Sequence, residues 1–273
     1  MLKSFTCLQY GFLTLILFIG LLSCKKESLV HKKGYQLVWS DEFEYKGLPD
    51  PARWGYGEGG NGWGNHELQY YTRERIENAH VENGVLRIEA RKEKFNQNEY
   101  TSARLHTKGK GDWMYGRIDV KAKLPSGKGT WPAIWMLAST TPLKWPDDGE
   151  LDIMEHVGYD QGVIHANIHT KAYNHTIGTN KGNQLSVSDV SSAFHVYSME
   201  WDEEKITFFI DDKSYFTFTN DKQNNSATWP YNQKFHLLLN IAIGGDWGGK
   251  EGVDTSIFPQ TMEVDYVRVY QKK

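Results

Sequence analysis

The sequence predicts an all-β fold, two stacked sheets in a sandwich or jelly roll with one concave face open as a groove. Three observations predict it. Gly116 to Lys123 alternates in character, with Ile118, Val120 and Ala122 set against Asp119, Lys121 and Lys123. Turn signals rich in Gly and Asn separate several such runs. No stretch longer than two turns carries a helical period.

The elements follow in order. Val81-Glu82 and Val85-Leu86-Arg87-Ile88 flank Asn83-Gly84, a strong hairpin signal. Lys205 to Phe218 holds two β-rich runs split by Asp211-Asp212-Lys213. Phe235 to Ile243 is apolar on both faces, as a central strand would be. Glu263 to Tyr270 closes the chain with a further β-rich run.

A chain of 273 residues without internal repeats fits one domain of this class. The net charge is −3 and the basic residues are dispersed, which argues against a nucleic-acid partner. Ten Trp and fifteen Tyr suit either core packing or a groove paved with rings on which the C–H faces of sugars lie flat. Composition does not separate the two.

Lys3 followed by the mostly apolar run Leu8 to Leu22 reads as a signal peptide. It ends in Leu21-Leu22-Ser23-Cys24, which resembles the bacterial lipobox, with Cys24 as the lipidated residue. Ordinary secretion with cleavage near Ser23 is the alternative. The other cysteine, Cys7, lies inside the same leader, so the mature domain would hold neither disulfide nor thiolate metal site. The expected division is a leader at 1–23, a charged tether at 24–33 and one catalytic domain at 34–273. The expected location is that of an exported, membrane-anchored lipoprotein, and a monomer is expected.

The segment that carries chemistry is Glu150-Leu151-Asp152-Ile153-Met154-Glu155. Side chains of a strand repeat every second residue, so Glu150 and Asp152 share a face and Glu155 falls on the other. A bulge at Ile153–Met154 would shift the phase and bring all three acids to one face. Like charges side by side repel and raise at least one pKa. Glycoside hydrolysis needs that arrangement, with one carboxylate ionised to attack and another protonated to release the leaving group. The spacing alone leaves open a solvated acidic edge strand and an acidic calcium site.

Other segments narrow the choice. They are Gly62-Trp63-Gly64-Asn65-His66-Glu67-Leu68-Gln69-Tyr70-Tyr71-Thr72, Thr101-Ser102-Ala103-Arg104, Tyr115-Gly116-Arg117 and Gly129-Thr130-Trp131-Pro132-Ala133-Ile134-Trp135-Met136-Leu137. Gly244-Gly245-Asp246-Trp247-Gly248-Gly249 and Val264-Asp265-Tyr266-Val267-Arg268-Val269-Tyr270 complete the set. Together with the acidic strand, they resemble family sixteen of the glycoside hydrolases, on its laminarinase branch, from about Leu37 to the end.

The resemblance implies a concanavalin A-like jelly roll with a concave substrate cleft. It implies a retaining endo-hydrolase of β-1,3-glucan with no catalytic cofactor. Glu150 would be the nucleophile, Asp152 its helper and Glu155 the acid/base. Asn65 and Arg104 would bond sugars, and Trp131 and Trp135 would wall and floor the site. Trp247 would stack a more distant sugar, and His169 would sit near the acid/base. A structural calcium ion would be held by Glu42, the Gly84 carbonyl and Asp265. Mixed-linkage glucanases, galactan hydrolases and a non-catalytic glucan-binding protein share the fold and stand as alternatives. A zinc pair of His165 and His169 lacks a third ligand at a familiar spacing.

Overall fold

Two tight turns show how local chemistry sets the architecture. Asn83 and Gly84 have φ of 53° and 78°. Positive φ at both central residues is what a type I′ turn requires, and such turns match the twist of the strands they join. Ala79–Glu82 and Val85–Phe95 pair antiparallel across it. Asp211 and Asp212, with φ of 49° and 62°, join Lys205–Ile210 to Lys213–Thr219 in the same way. The computed structural model describes residues 34–273. The expected leader at 1–23, Cys24 and the tether at 24–33 lie outside the described residues.

The described strands form two sheets, one of ten strands and one of eight. In the larger sheet, Gly116–Lys123 lies between His195–Trp201 and Gln260–Lys272. In the smaller, Thr130–Ala138 lies between Glu150–His156 and Phe235–Ile243. Val163–His169 flanks the acidic strand, and Arg104–His106 flanks Phe235–Ile243. Among the described residues the helical content is one short 3-10 turn, His175–Ile177.

One apolar core holds the two sheets together, with Leu86, Ile118, Ile134, Leu151, Leu237 and Val267 among its members. Burial of this area is the main force that holds the sandwich closed. Phe235–Ile243 is buried along its whole length, as expected for a strand paired on both sides. Leu237, Leu239, Ile241 and Ile243 enter the core, while Asn240 turns to the opposite face and lines a cleft.

Asp119 stands on the polar face of the alternation over Gly116–Lys123, yet that face is covered here. Asp119 is only 3% exposed. Its strand is central, so its outward side chains lie under neighbours. Arg117 Nε donates to Asp119 at 2.6 Å, and its other nitrogens reach Glu200 on the adjoining strand and Asp212 in the turn after Ile210. A buried charge is tolerable when it is paired in this way. The runs beginning at Val85 and ending at Tyr270 also extend further than their β-rich segments, to Phe95 and over Gln260–Lys272.

Candidate active site

The acidic strand contains one extra residue. Asp152 stands opposite Trp135 on one side and Asn167 on the other. Glu155 stands opposite Ala133 and His165. The acidic strand thus takes three steps where each neighbour takes two. The surplus lies at Ile153–Met154, where the sequence requires it. Leu151, Ile153 and Met154 consequently all point into the core. Glu150, Asp152 and Glu155 all line a cleft of about 610 Å³ on the outer face of the smaller sheet.

Burial dominates the electrostatics of these acids. It pushes Glu150 up to about 8, with the neighbouring Asp152 charge as the next cause. Burial, then the charge of Glu155, pushes Asp152 well above the carboxylate range. Burial also raises Glu155, against the opposing pull of His169. Specific donors act in the other sense. Trp145 Nε1–H donates to Glu150 Oε2 at 2.9 Å. Trp131 Nε1–H and Asn167 Nδ2–H donate to Glu155 at 3.0 Å and 3.1 Å. Donors aimed at a carboxylate favour its ionised form. The cluster can therefore hold a proton on one acid while another stays charged.

Around the acids the cleft is aromatic, and Trp131 and Trp135 both line it. Trp135 Nε1–H donates to Asn240 Oδ1 at 2.7 Å, which fixes the ring. The Arg104 guanidinium lies between the rings of Trp63 and Trp135, 4.6 Å from each centroid. Asn65 donates to Glu67 at 3.3 Å, and Gln69 and Tyr71 donate to the other oxygen of that carboxylate. Trp247 meets Trp131 edge-on at 5.5 Å and His165 at 5.0 Å, and so braces the wall that Trp131 forms.

His169 sits within the acidic cluster, where its charge acts on Glu155, and it contacts the other two acids directly. Its Nε2 is 3.2 Å from Asp152 and 3.7 Å from Glu150. Register places it there: the antiparallel neighbour sets Glu150 opposite His169 and Glu155 opposite His165. His165 points at Trp247, away from any shared centre with His169.

Of the residues expected to hold calcium, Glu42 and Gly84 flank strands that pair with the last strand, which carries Asp265; there Asp41 opposes Val267 and Val264 opposes Leu86. Both carboxylates already face a cationic side chain. Arg268 donates to both oxygens of Glu42, at 3.0 Å and 2.9 Å, and Lys121 lies 3.2 Å from Asp265.

With this geometry in view, the comparisons with known proteins are specific. The description Glycosyl hydrolases family 16 matches residues 67–268. The chain belongs to that family. A β-glucanase of Rhodothermus marinus is 55% identical over 244 residues, 87% of this chain and 85% of the relative. The X-ray structure of the laminarinase from Rhodothermus marinus matches with a TM-score of 0.86 at 55% identity, over 88% of this chain and 98% of that one. The laminarinase catalytic domain from Thermotoga maritima matches with a TM-score of 0.81 at 41% identity, over 88% and 100%.

Four residues of this family-16 cleft escape a reading of the sequence. Asn167 had a signal, because it alternates with His165 and His169 and shares their face. Asn240 sits in a run that reads as wholly apolar apart from itself and His236. Trp145 and His175 lie outside strands, and their rings meet at 5.2 Å beside His169. Loop placement of that kind has no local pattern.

The raised Glu150 has a consequence for stability. Its value in the fold, about 8, exceeds its ordinary 4.5. The favourable contribution is complete below pH 4.5 and is lost as pH rises through 8. Glu150→Gln removes that loss. Its Tm is expected to exceed the parent's by roughly 3–8 °C at pH 9 and to match it near pH 4. Calorimetry at the two pH values measures this, and an equal gain at both would contradict it.

Proposed function

We propose that the protein hydrolyses β-1,3-glucan internally with retention of configuration, by double displacement at Glu150 and Glu155. One observation carries this reading. The bulge sets both glutamates, with Asp152 between them, on the floor of an aromatic cleft, and each glutamate has its own donors.

The chemistry follows from that arrangement. Glu150, held by the Trp145 indole, attacks the anomeric carbon. Glu155, raised by burial, gives its proton to the departing glycosidic oxygen. A covalent glycosyl-enzyme results. Glu155, now charged, draws a proton from water, and that water releases the sugar with its original configuration. Asp152, between the two, hydrogen-bonds Glu150 and helps keep Glu155 protonated. Trp131 and Trp135 offer flat apolar faces to sugar rings, and Arg104 and Asn65 offer donors. A 1,4 linkage in the outer subsites would extend the activity to mixed-linkage glucan.

Two features complete the reading. Cys24 would carry lipid and hold the enzyme at a membrane, in line with the lipobox-like Leu21-Leu22-Ser23-Cys24. A calcium ion at Glu42, the Gly84 carbonyl and Asp265 would tie the start of the domain to its last strand by exchanging with Arg268 and Lys121.

Glu150→Ser is expected to cut laminarin hydrolysis by about three orders of magnitude or more while laminarin still binds. Proton NMR during parent turnover is expected to show the β-anomer first, and early α-anomer would refute retention. Cell fractionation should move Cys24→Ser from the membrane fraction to the soluble one. An unchanged distribution would remove the lipid anchor from the account. A chelator should lower Tm without changing kcat well below the melt. An unchanged Tm would remove the calcium ion.

A further inference from the structure

One corner of the cleft gathers ligand atoms as a metal site does. Glu150, Asp152 and His169 each offer one atom, and the three lie within 4.8 Å of one another. His169 Nε2 is 3.2 Å from Asp152 Oδ2 and 3.7 Å from Glu150 Oε1. Tetrahedral zinc bound at about 2.0–2.2 Å sets neighbouring ligand atoms about 3.3–3.6 Å apart. The two spacings from His169 bracket that range, and the third is within 4.8 Å.

Two further observations point to a cation there. Asp152 Oδ2 is buried on a side chain only 3% exposed and makes no hydrogen bond, with His169 Nε2 facing it at 3.2 Å. A buried oxygen left in that state is costly until a cation or donor meets it. Glu150 is also oriented. Trp145 Nε1–H occupies Oε2 at 2.9 Å and leaves Oε1 directed at His169. Donors to the free oxygen of a ligating carboxylate are how proteins steady metal ligands.

We propose that the unliganded cleft binds one zinc ion through Glu150 Oε1, Asp152 Oδ2 and His169 Nε2, with its fourth position open to the cleft. The ion occupies the nucleophile and so competes with glucan. One imidazole with two carboxylates suits zinc or its borderline neighbours, and not magnesium or calcium, which take six or more oxygens. Glu155 adds a third carboxyl group to the cleft. Arg104 is the only lysine or arginine among the residues that line the cleft. The inhibitory effect rests on Glu150 being the nucleophile, whereas binding of the ion does not.

Zinc chloride titrated calorimetrically into the purified protein tests this. One ion per chain is expected. Trp145→Phe should weaken it by about 10–100-fold, and His169→Asn and Asp152→Asn by at least as much. His165→Asn, on the same strand face but outside the cluster, should leave zinc affinity unchanged. Circular dichroism confirms that each variant is folded. In laminarin assays zinc should raise the apparent KM and leave kcat unchanged. No binding, binding that survives both His169→Asn and Asp152→Asn, or a fall in kcat at constant KM would overturn the proposal. Hydrolysis of laminarin in chelator, without zinc, tests the glucanase reading separately.

Discussion

The chemistry of the cleft depends on one extra residue in the strand Glu150–His156. A regular strand would turn Glu155 into the core, where an unpaired carboxylate is intolerable. The bulge sends Ile153 and Met154 inward together and returns Glu155 to the cleft. Both neighbouring strands keep regular spacing across the gap, so the distortion is confined to the strand that bears the acids. Apolar packing from Leu151, Ile153 and Met154 on the core side holds the bulge in place. Sheet geometry, core burial and catalytic geometry are thus one constraint.

The same arrangement sets stability against function. Three carboxylates in a buried row work against the fold, and burial is the first cause of each upward shift. What makes the row tolerable is its ring of donors. The indoles of Trp145 and Trp131 and the Asn167 amide each reach an acid from a different part of the chain. These bonds do not merely neutralise charge. They distinguish Glu150 from Glu155 by giving each a different partner, and a double displacement needs two different carboxylates. A less direct brace runs through Trp135, Asn240, Tyr71 and Glu67, which ties the floor to the loop that carries Asn65.

Much of this is legible in the sequence, and the limits have physical causes. Asn83-Gly84 and Asp211-Asp212 announce their turns because few residues accept positive φ. The bulge is legible because acids at 150, 152 and 155 share a face only if the phase shifts. Trp131 and Trp135 follow from strand alternation once that face is known. His169 could not be placed by the same means. Whether it faces Glu150 or Glu155 depends on how two strands are registered, and register is set by contacts remote in the chain. The burial of Asp119 is not legible, because alternation says which face a residue takes, not what covers that face. Trp145 and His175 arrive from loops, where no period exists to read.

The central claim is that the bulged strand presents Glu150 as the attacking group. Trapping the covalent intermediate tests it most directly. A 2-deoxy-2-fluoro laminaribioside with a good leaving group would be incubated with the protein, and the digest mapped by mass spectrometry. The account predicts one added glycosyl group, located on Glu150. A label on Asp152 or Glu155, or continued turnover with no labelled peptide, would contradict it.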